Sequence, residues 1–234
     1  MSGMVFNLTQ SLGARLMRRI AVVLLAFSLV AGCASARDRV PEDYSGADAG
    51  WLVVSIRTTG DNQLANLAMD IRAKDAVRSA NLAYNGRSRV TPRDFDTEDG
   101  TGAVFVRPLP AGDYEIHKVR ASGSVGSIGA VVSSRTEFSI PFAIQAGRAT
   151  YVGSFKAHPT GSAKIEGGLA DFFEGVIFAG AFFVVTDDIE RDIPIAKSKS
   201  SGIVTVEHAV PDVDRICLEF SSPPLLSGTE TPCS

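Results

Sequence analysis

From residue 51 onward the apolar positions fall mostly at every second residue, the period of a strand with one buried face. Trp51, Val53, Ser55 and Arg57 alternate with Leu52, Val54 and Ile56. This run predicts a strand ended by the turn-forming Thr58-Thr59-Gly60-Asp61-Asn62. Over 64–74 the pattern supports two elements. Leu64, Leu67, Ala68 and Ile71 have helical spacing, while Leu67, Met69 and Ile71 alternate with Ala68, Asp70 and Arg72. Strand neighbours favour a strand. Asn85 to Gly102 is charged and rich in turn formers and predicts a long surface loop. Gly123, Gly126 and Gly129 lie in a segment that predicts a flexible strand or hairpin loop; their spacing is not the dinucleotide fingerprint. Gly175 to Asp188 is almost continuously apolar, which predicts a strand buried on both faces. A second reading has Phe172, Phe173, Phe178, Phe182 and Phe183 touching lipid or a partner. Asp187 or Asp188 then caps a short helix, with Pro194 near its start or beyond its end. GIVTVEH and RICLEF predict the last strands, and a Pro- and Ser-rich tail spans 221–234.

One echo stands out inside this pattern. Leu109-Pro110-Ala111-Gly112-Asp113-Tyr114 and Ile144-Gln145-Ala146-Gly147-Arg148-Ala149-Thr150-Tyr151 each read strand, Ala-Gly turn, tyrosine-bearing strand. Gly112 and Gly147 supply the positive φ that tight hairpin turns commonly need. Strict alternation puts Tyr114, Ile116 and Lys118 on one face, and Tyr151, Gly153 and Phe155 together on another. These two motifs, over roughly residues 50–200, resemble the hairpins of bacterial β-sandwich lipoproteins and surface modules of prealbumin-like or carboxypeptidase-regulatory-like type. The resemblance implies a mainly β chain: an immunoglobulin-like (prealbumin-like) antiparallel β-sandwich with a short C-terminal helix. It transfers no catalytic residue.

The N-terminus has a different pattern. Arg15, Arg18 and Arg19 precede an apolar run from Ile20 to Gly32. A basic stretch followed by an apolar one of this length reads as a signal helix; a spanning helix needs roughly 20 apolar residues. Val30-Ala31-Gly32-Cys33 closes the run and resembles the lipobox of bacterial lipoproteins. The resemblance implies cleavage before Cys33 and acylation of that cysteine, because two or three chains hold a protein at a bilayer where one is marginal. The divisions expected are a signal peptide over 1–32, a tether over 33–50, the β-domain over 51–220 and the tail over 221–234. Ala34, where an Asp would favour the inner membrane, points by the same resemblance to the outer membrane and its periplasmic face.

Composition adds limits. Taking residues 1–32 from 234 leaves 202, and losing three arginines from 23 basic residues leaves 20 against 26 acids, a net charge of −6. That balance argues against a nucleic-acid partner. Cys217 and Cys233 remain, either bridged or as one buried and one terminal thiol. His117, His158 and His208 show no metal-ligand spacing, although His117 and His158 meet if the two Ala-Gly segments are sheet neighbours. Asp187, Asp188, Glu190 and Asp192 form one acid cluster; Asp94, Asp96, Glu98 and Asp99 form another, with some character of a calcium loop. Solvated faces or caps are the simpler reading of both. No G-x-S-x-G elbow occurs. The expectation is therefore a non-catalytic binding or structural domain without metal or cofactor, held to the membrane by its lipid and serving an unknown envelope partner. The rival classes are an envelope hydrolase acting on glycan or peptide and a surface-exposed adhesin-like module.

Overall fold

The computed structural model describes residues 38–58, 66–75, 77–86, 93–125, 128–135, 138–164, 176–213 and 215–220. The lipobox (Val30, Ala31, Gly32, Cys33), Cys233 and Phe172–Phe173 lie outside them. The chain is mainly β. Its strands are β1 (Asp38–Arg39), β2 (Ala49–Thr58), β3 (Asn66–Ala73), β4 (Arg78–Asn85), β5 (Phe95–Thr97), β6 (Gly100–Pro110) and β7 (Gly112–Val125). After them come β8 (Ile128–Ser134), β9 (Ile140–Ile144), β10 (Ala149–Lys164) and β11 (Val176–Thr186). Helix α1 (Ile189–Lys199) follows, then β12 (Val206–His208) and β13 (Arg215–Phe220). Within the 64–74 segment Asn66–Ala73 form a strand, and the loop expected over Asn85 to Gly102 contains β5 and the start of β6.

All of these strands join one curled sheet in the order β1-β4-β3-β7-β8-β13-β11-β10-β2-β6-β5, with β12 added to β10 and β9 to β7. Its inner face encloses one core, with Leu52 and Ile56 of β2, Met69 and Ile71 of β3, and Phe155 and Phe183 of β10 and β11 at its centre. The sheet is not wholly antiparallel as expected: β2 runs parallel to β10, β12 parallel to β10 and β1 parallel to β4. The reason lies in the two Ala-Gly turns. Neither closes a hairpin. The first joins β6, which pairs with β2, to β7, which pairs with β3. The second joins β9, a partner of β7, to β10, a partner of β2. Both are corners that move the chain to another part of the sheet, with Gly112 at φ +151° and Gly147 at φ +72°. They converge on the start of β2: the Ala111 N–H donates to the Asp48 carbonyl and the Gly147 N–H to the Ala49 carbonyl. Strand β10 therefore sets out beside β2 and in the same direction.

Alternation fails where each tyrosine-bearing strand carries a bulge. On β10 the register with β2 shifts between Tyr151 and Ser154, around Gly153 at φ +104°. The extra residue reverses the faces. Tyr151 points to one side, whereas Val152, Phe155 and Ala157 point into the main core. On β7 the register with β3 shifts between Asp70 and Ile71. Val119, rather than Lys118, then joins Tyr114 and Ile116 in the core. The two shared faces expected from strict alternation do not survive these bulges.

Two further expectations change. Strand β11 is buried on one face only within its described side chains: Ala181 and Phe183 are enclosed, while Phe182 and Val184 are half-buried. Helix α1 runs through Pro194 instead of stopping at it. Pro194 and Glu190, whose carbonyl loses its partner, both face solvent. The helix is held by its other side, where Ala196 is buried and Ile189 and Ile193 pack on a smaller second cluster with Val53, Val104 and Tyr151.

Residues of the expected tether from Asp38 onward belong to the described fold. Val40 is 5% exposed and belongs to the main core. The Asp38 and Val40 N–H groups donate to the carbonyls of Val77 and Ser79 beside β4. On its other side the Val40 carbonyl accepts from Arg107 Nη2 of β6. Residues 38–40 thus stitch together two strands near opposite ends of the sheet order. A residue with both its main chain and its side chain satisfied in a seam is part of the domain.

Candidate functional site

The most concentrated chemistry among the described residues lies where α1 crosses the outer face of β2 and β10. Asp192 sits on the buried side of α1, one turn before Ala196, and has no exposed surface. Its Oδ2 accepts from Ser55 Oγ at 2.6 Å and from Tyr151 Oη at 2.9 Å. Its Oδ1 accepts from Arg191, with Nε at 2.8 Å and Nη2 at 2.7 Å. The bulge on β10 makes this meeting possible, because it brings Ser154 opposite Ser55 on the face where Tyr151 already points. Arg191 Nη2 also donates to both serine hydroxyls at 3.2 Å, and its guanidinium lies 3.9 Å from the centre of the Phe95 ring.

A second carboxylate borders the first. Asp188 precedes α1 as its N-cap residue, yet its side chain does not cap the helix. Its Oδ2 accepts from Thr186 Oγ1 at 2.9 Å and faces Arg57 and Arg191, each at 3.3 Å. Burial alone would raise the Asp188 pKa; the Thr186 hydroxyl and the charges of Arg57 and Arg191 outweigh it, and the carboxyl is held below its ordinary value. The expected cap comes from Asp187, whose Oδ1 accepts from the Ile189 N–H at 3.3 Å. Tyr151 links the Asp192 carboxylate to the main chain of Asp188, donating to the first at 2.9 Å and accepting the Asp188 N–H at 3.1 Å. Burial first, and then the negative charge of Asp192, push the phenol well above its ordinary pKa, so it stays a donor.

In this node each named hydroxyl both gives and receives a hydrogen bond, which polarises the chain of bonds and fixes one geometry. Ser55, Ser154 and Tyr151 are fully buried, so their hydroxyls bear on the helix and not on solvent. Chemically the arrangement fastens α1 to the sheet. Of its members, Asp188 and Asp192 are candidates in the sequence, within an acid cluster read there as a solvated face or as caps. A helical wheel does carry the missed signal, since Asp192 shares a face with Ile189 and Ala196.

The other sequence candidates scatter. His117 is on β7 and His158 on β10, which are not neighbours, so the condition under which the two would meet is not fulfilled. His208 lies 2.7 Å from Asp187. Asp94 accepts from the Val104 N–H at 2.7 Å and from Lys199, so it pins the end of α1 to β6. Among the described residues no group of three metal-ligating side chains occurs. Cys217 is disulfide-bonded, and its partner sulfur lies outside the described residues.

No protein-family model and no curated protein matches the chain. Among solved structures, a leucine-rich repeat protein from Bacteroides thetaiotaomicron matches at 10% identity with a TM-score of 0.29. The match covers 47% of this chain and 14% of that one, and at that score it carries no argument.

Proposed function

We propose that the chain is a lipid-anchored lipoprotein of the cell envelope whose β-domain binds or braces a partner and performs no catalysis. The observation that carries this reading is the placement of Cys33, directly after small residues at the end of a basic-then-apolar leader. The finer fold reading is a prealbumin-like sandwich. In its favour, the Tyr114 hydroxyl donates to the Pro110 carbonyl at 2.8 Å, the geometry of the tyrosine corner common in Greek-key sandwiches. The hydrolase alternative requires a histidine and two acids in one cleft; among the described residues His208 meets Asp187, and His158 stacks on Phe182.

The test is the fate of Cys33. Mass spectrometry of native material is expected to find fatty acid on a first residue that is Cys33. Cys33→Ser is expected to release the protein from membranes or leave the precursor uncut. An unacylated N-terminus together with an unchanged membrane fraction refutes the proposal.

A further inference from the structure

The outer face of the sheet continues past α1, and the strand register lines up its side chains. One row crosses five strands: Gly102 of β6, Arg57 of β2, Lys156 of β10, Val184 of β11 and Arg215 of β13. In the next row His158 stands beside Phe182 and Phe182 beside Cys217. Neighbouring strands lie about 4.8 Å apart, so Lys156 adjoins Arg57 and Arg215 is about 10 Å further on. Like charges directly opposite each other in a sheet are unfavourable. A fold that places Arg57 against Lys156 invites an anion between them.

The existing acids cover this row incompletely. Arg57 has a side chain 7% exposed; its Nη2 is taken by Thr186 and Asp188, and its buried Nε has no partner. An unmade hydrogen bond on a buried charged group is costly. Lys156 faces Asp99 at 3.8 Å, a carboxylate 76% exposed and therefore heavily screened. Arg215 rests 4.3 Å from the Phe182 ring centre and, among the described residues, has no carboxylate within ion-pair distance. His158 registers the combined field. Burial chiefly, then Lys156, Arg57 and Arg215, push its pKa down. The start of α1, with the positive end of its dipole, borders the same row through Asp188.

We propose that this row binds a phosphate-bearing ligand, its phosphate oxygens held by Lys156 beside Arg57 and by Arg215 reaching across from β13, with its less polar part over Val184. A lipid headgroup and a soluble diphosphate share that chemistry. The site is independent of the N-terminal lipid, so it stands or falls separately from the proposed anchor.

The test uses the full chain carrying Cys33→Ser, so that no acyl chain contributes. Inorganic pyrophosphate is titrated in while the His158 ring is followed by NMR. The imidazole pKa is expected to rise on binding, because neutralised neighbours no longer oppose its protonation. Lys156→Ala and Arg215→Ala are each expected to weaken binding by about tenfold, and Arg215→Lys to restore part of the loss. Co-sedimentation with phosphatidylglycerol vesicles, against phosphatidylcholine, separates the sources. A response to pyrophosphate supports the site with a soluble ligand, and selective retention on phosphatidylglycerol supports it with a headgroup. Three results overturn it: no response to either probe, equal retention on both vesicles without a pyrophosphate response, or undiminished binding in the Lys156→Ala/Arg215→Ala double variant with its circular dichroism unchanged.

Discussion

Tyr114 and Tyr151 each follow an Ala-Gly corner, and both are fully buried, yet they hold different parts of the molecule together. Tyr114 faces the main core, stacks 5.8 Å from Phe142 and returns its hydroxyl to Pro110 four residues back. Its work is local, stabilising the corner it belongs to. Tyr151 faces the opposite side of the sheet and reaches forward in sequence to Asp188 and Asp192, fastening a helix. A local motif thus sets the turn, while the element stacked above decides what the side chain does.

That contrast gives graded predictions. Asp192→Ala should be the most damaging change, because it leaves two buried hydroxyls without their acceptor and takes from Arg191 the nearer of its two carboxylates. A loss of about 3–5 kcal/mol in urea unfolding is expected, and a loss below about 1 kcal/mol would show that water substitutes for the carboxylate. Gly153→Ala comes next. Its φ of +104° is strained for alanine, and the new Cβ would lie 3.0 Å from Val185 Cγ1. A cost of about 1–3 kcal/mol is expected, together with loss of hydrogen-exchange protection at the α1 amides, since the bulge sets the helix-facing side of β10. Tyr151→Phe should then cost about 2 kcal/mol, because it leaves the part-buried Asp188 N–H and a buried carboxylate oxygen each short of a bond. Tyr114→Phe should cost about 1 kcal/mol, because only one neutral bond is lost. Equal losses in these two variants would erase the distinction between corner and node.

The smallest effect expected is with pH. Asp188 is held below the ordinary carboxylate value, so the native state favours its ionised form. Its stabilising contribution is full above the ordinary value, about pH 4, and is lost as pH falls through the lower folded value. Melting temperature measured against pH should decline along that acid limb, and Asp188→Asn should flatten it. No such contribution comes from Tyr114, so Tyr114→Phe should leave the limb unchanged.

The sequence made several elements legible because their signals are local. The period of two over residues 51–57 and the turn formers after it marked β2, and the positions of Gly112 and Gly147 marked the corners. What those corners connect was not legible. The parallel pairing of β2 with β10 depends on where strands far apart in the chain come to lie. Bulges had the same effect on the candidate site. One extra residue at Gly153 reverses the side chains that follow it, so an alternation rule put Phe155 with Tyr151 when the two lie on opposite faces. Asp192 was misjudged because an acid early in a helix is ordinarily a solvated dipole partner, and its burial depends on Ser55 and Tyr151 arriving from other strands.

The stitch formed by residues 38–40 has a mechanical consequence. A pull on the chain from its N-terminal side loads the two main-chain bonds to Val77 and Ser79 and the Arg107 contact before it reaches the interior. These few bonds act as a fuse. Their rupture would leave the nearly buried Arg107 guanidinium without its Val40 acceptor, so the pulled state carries an electrostatic penalty that drives the segment back once tension is released.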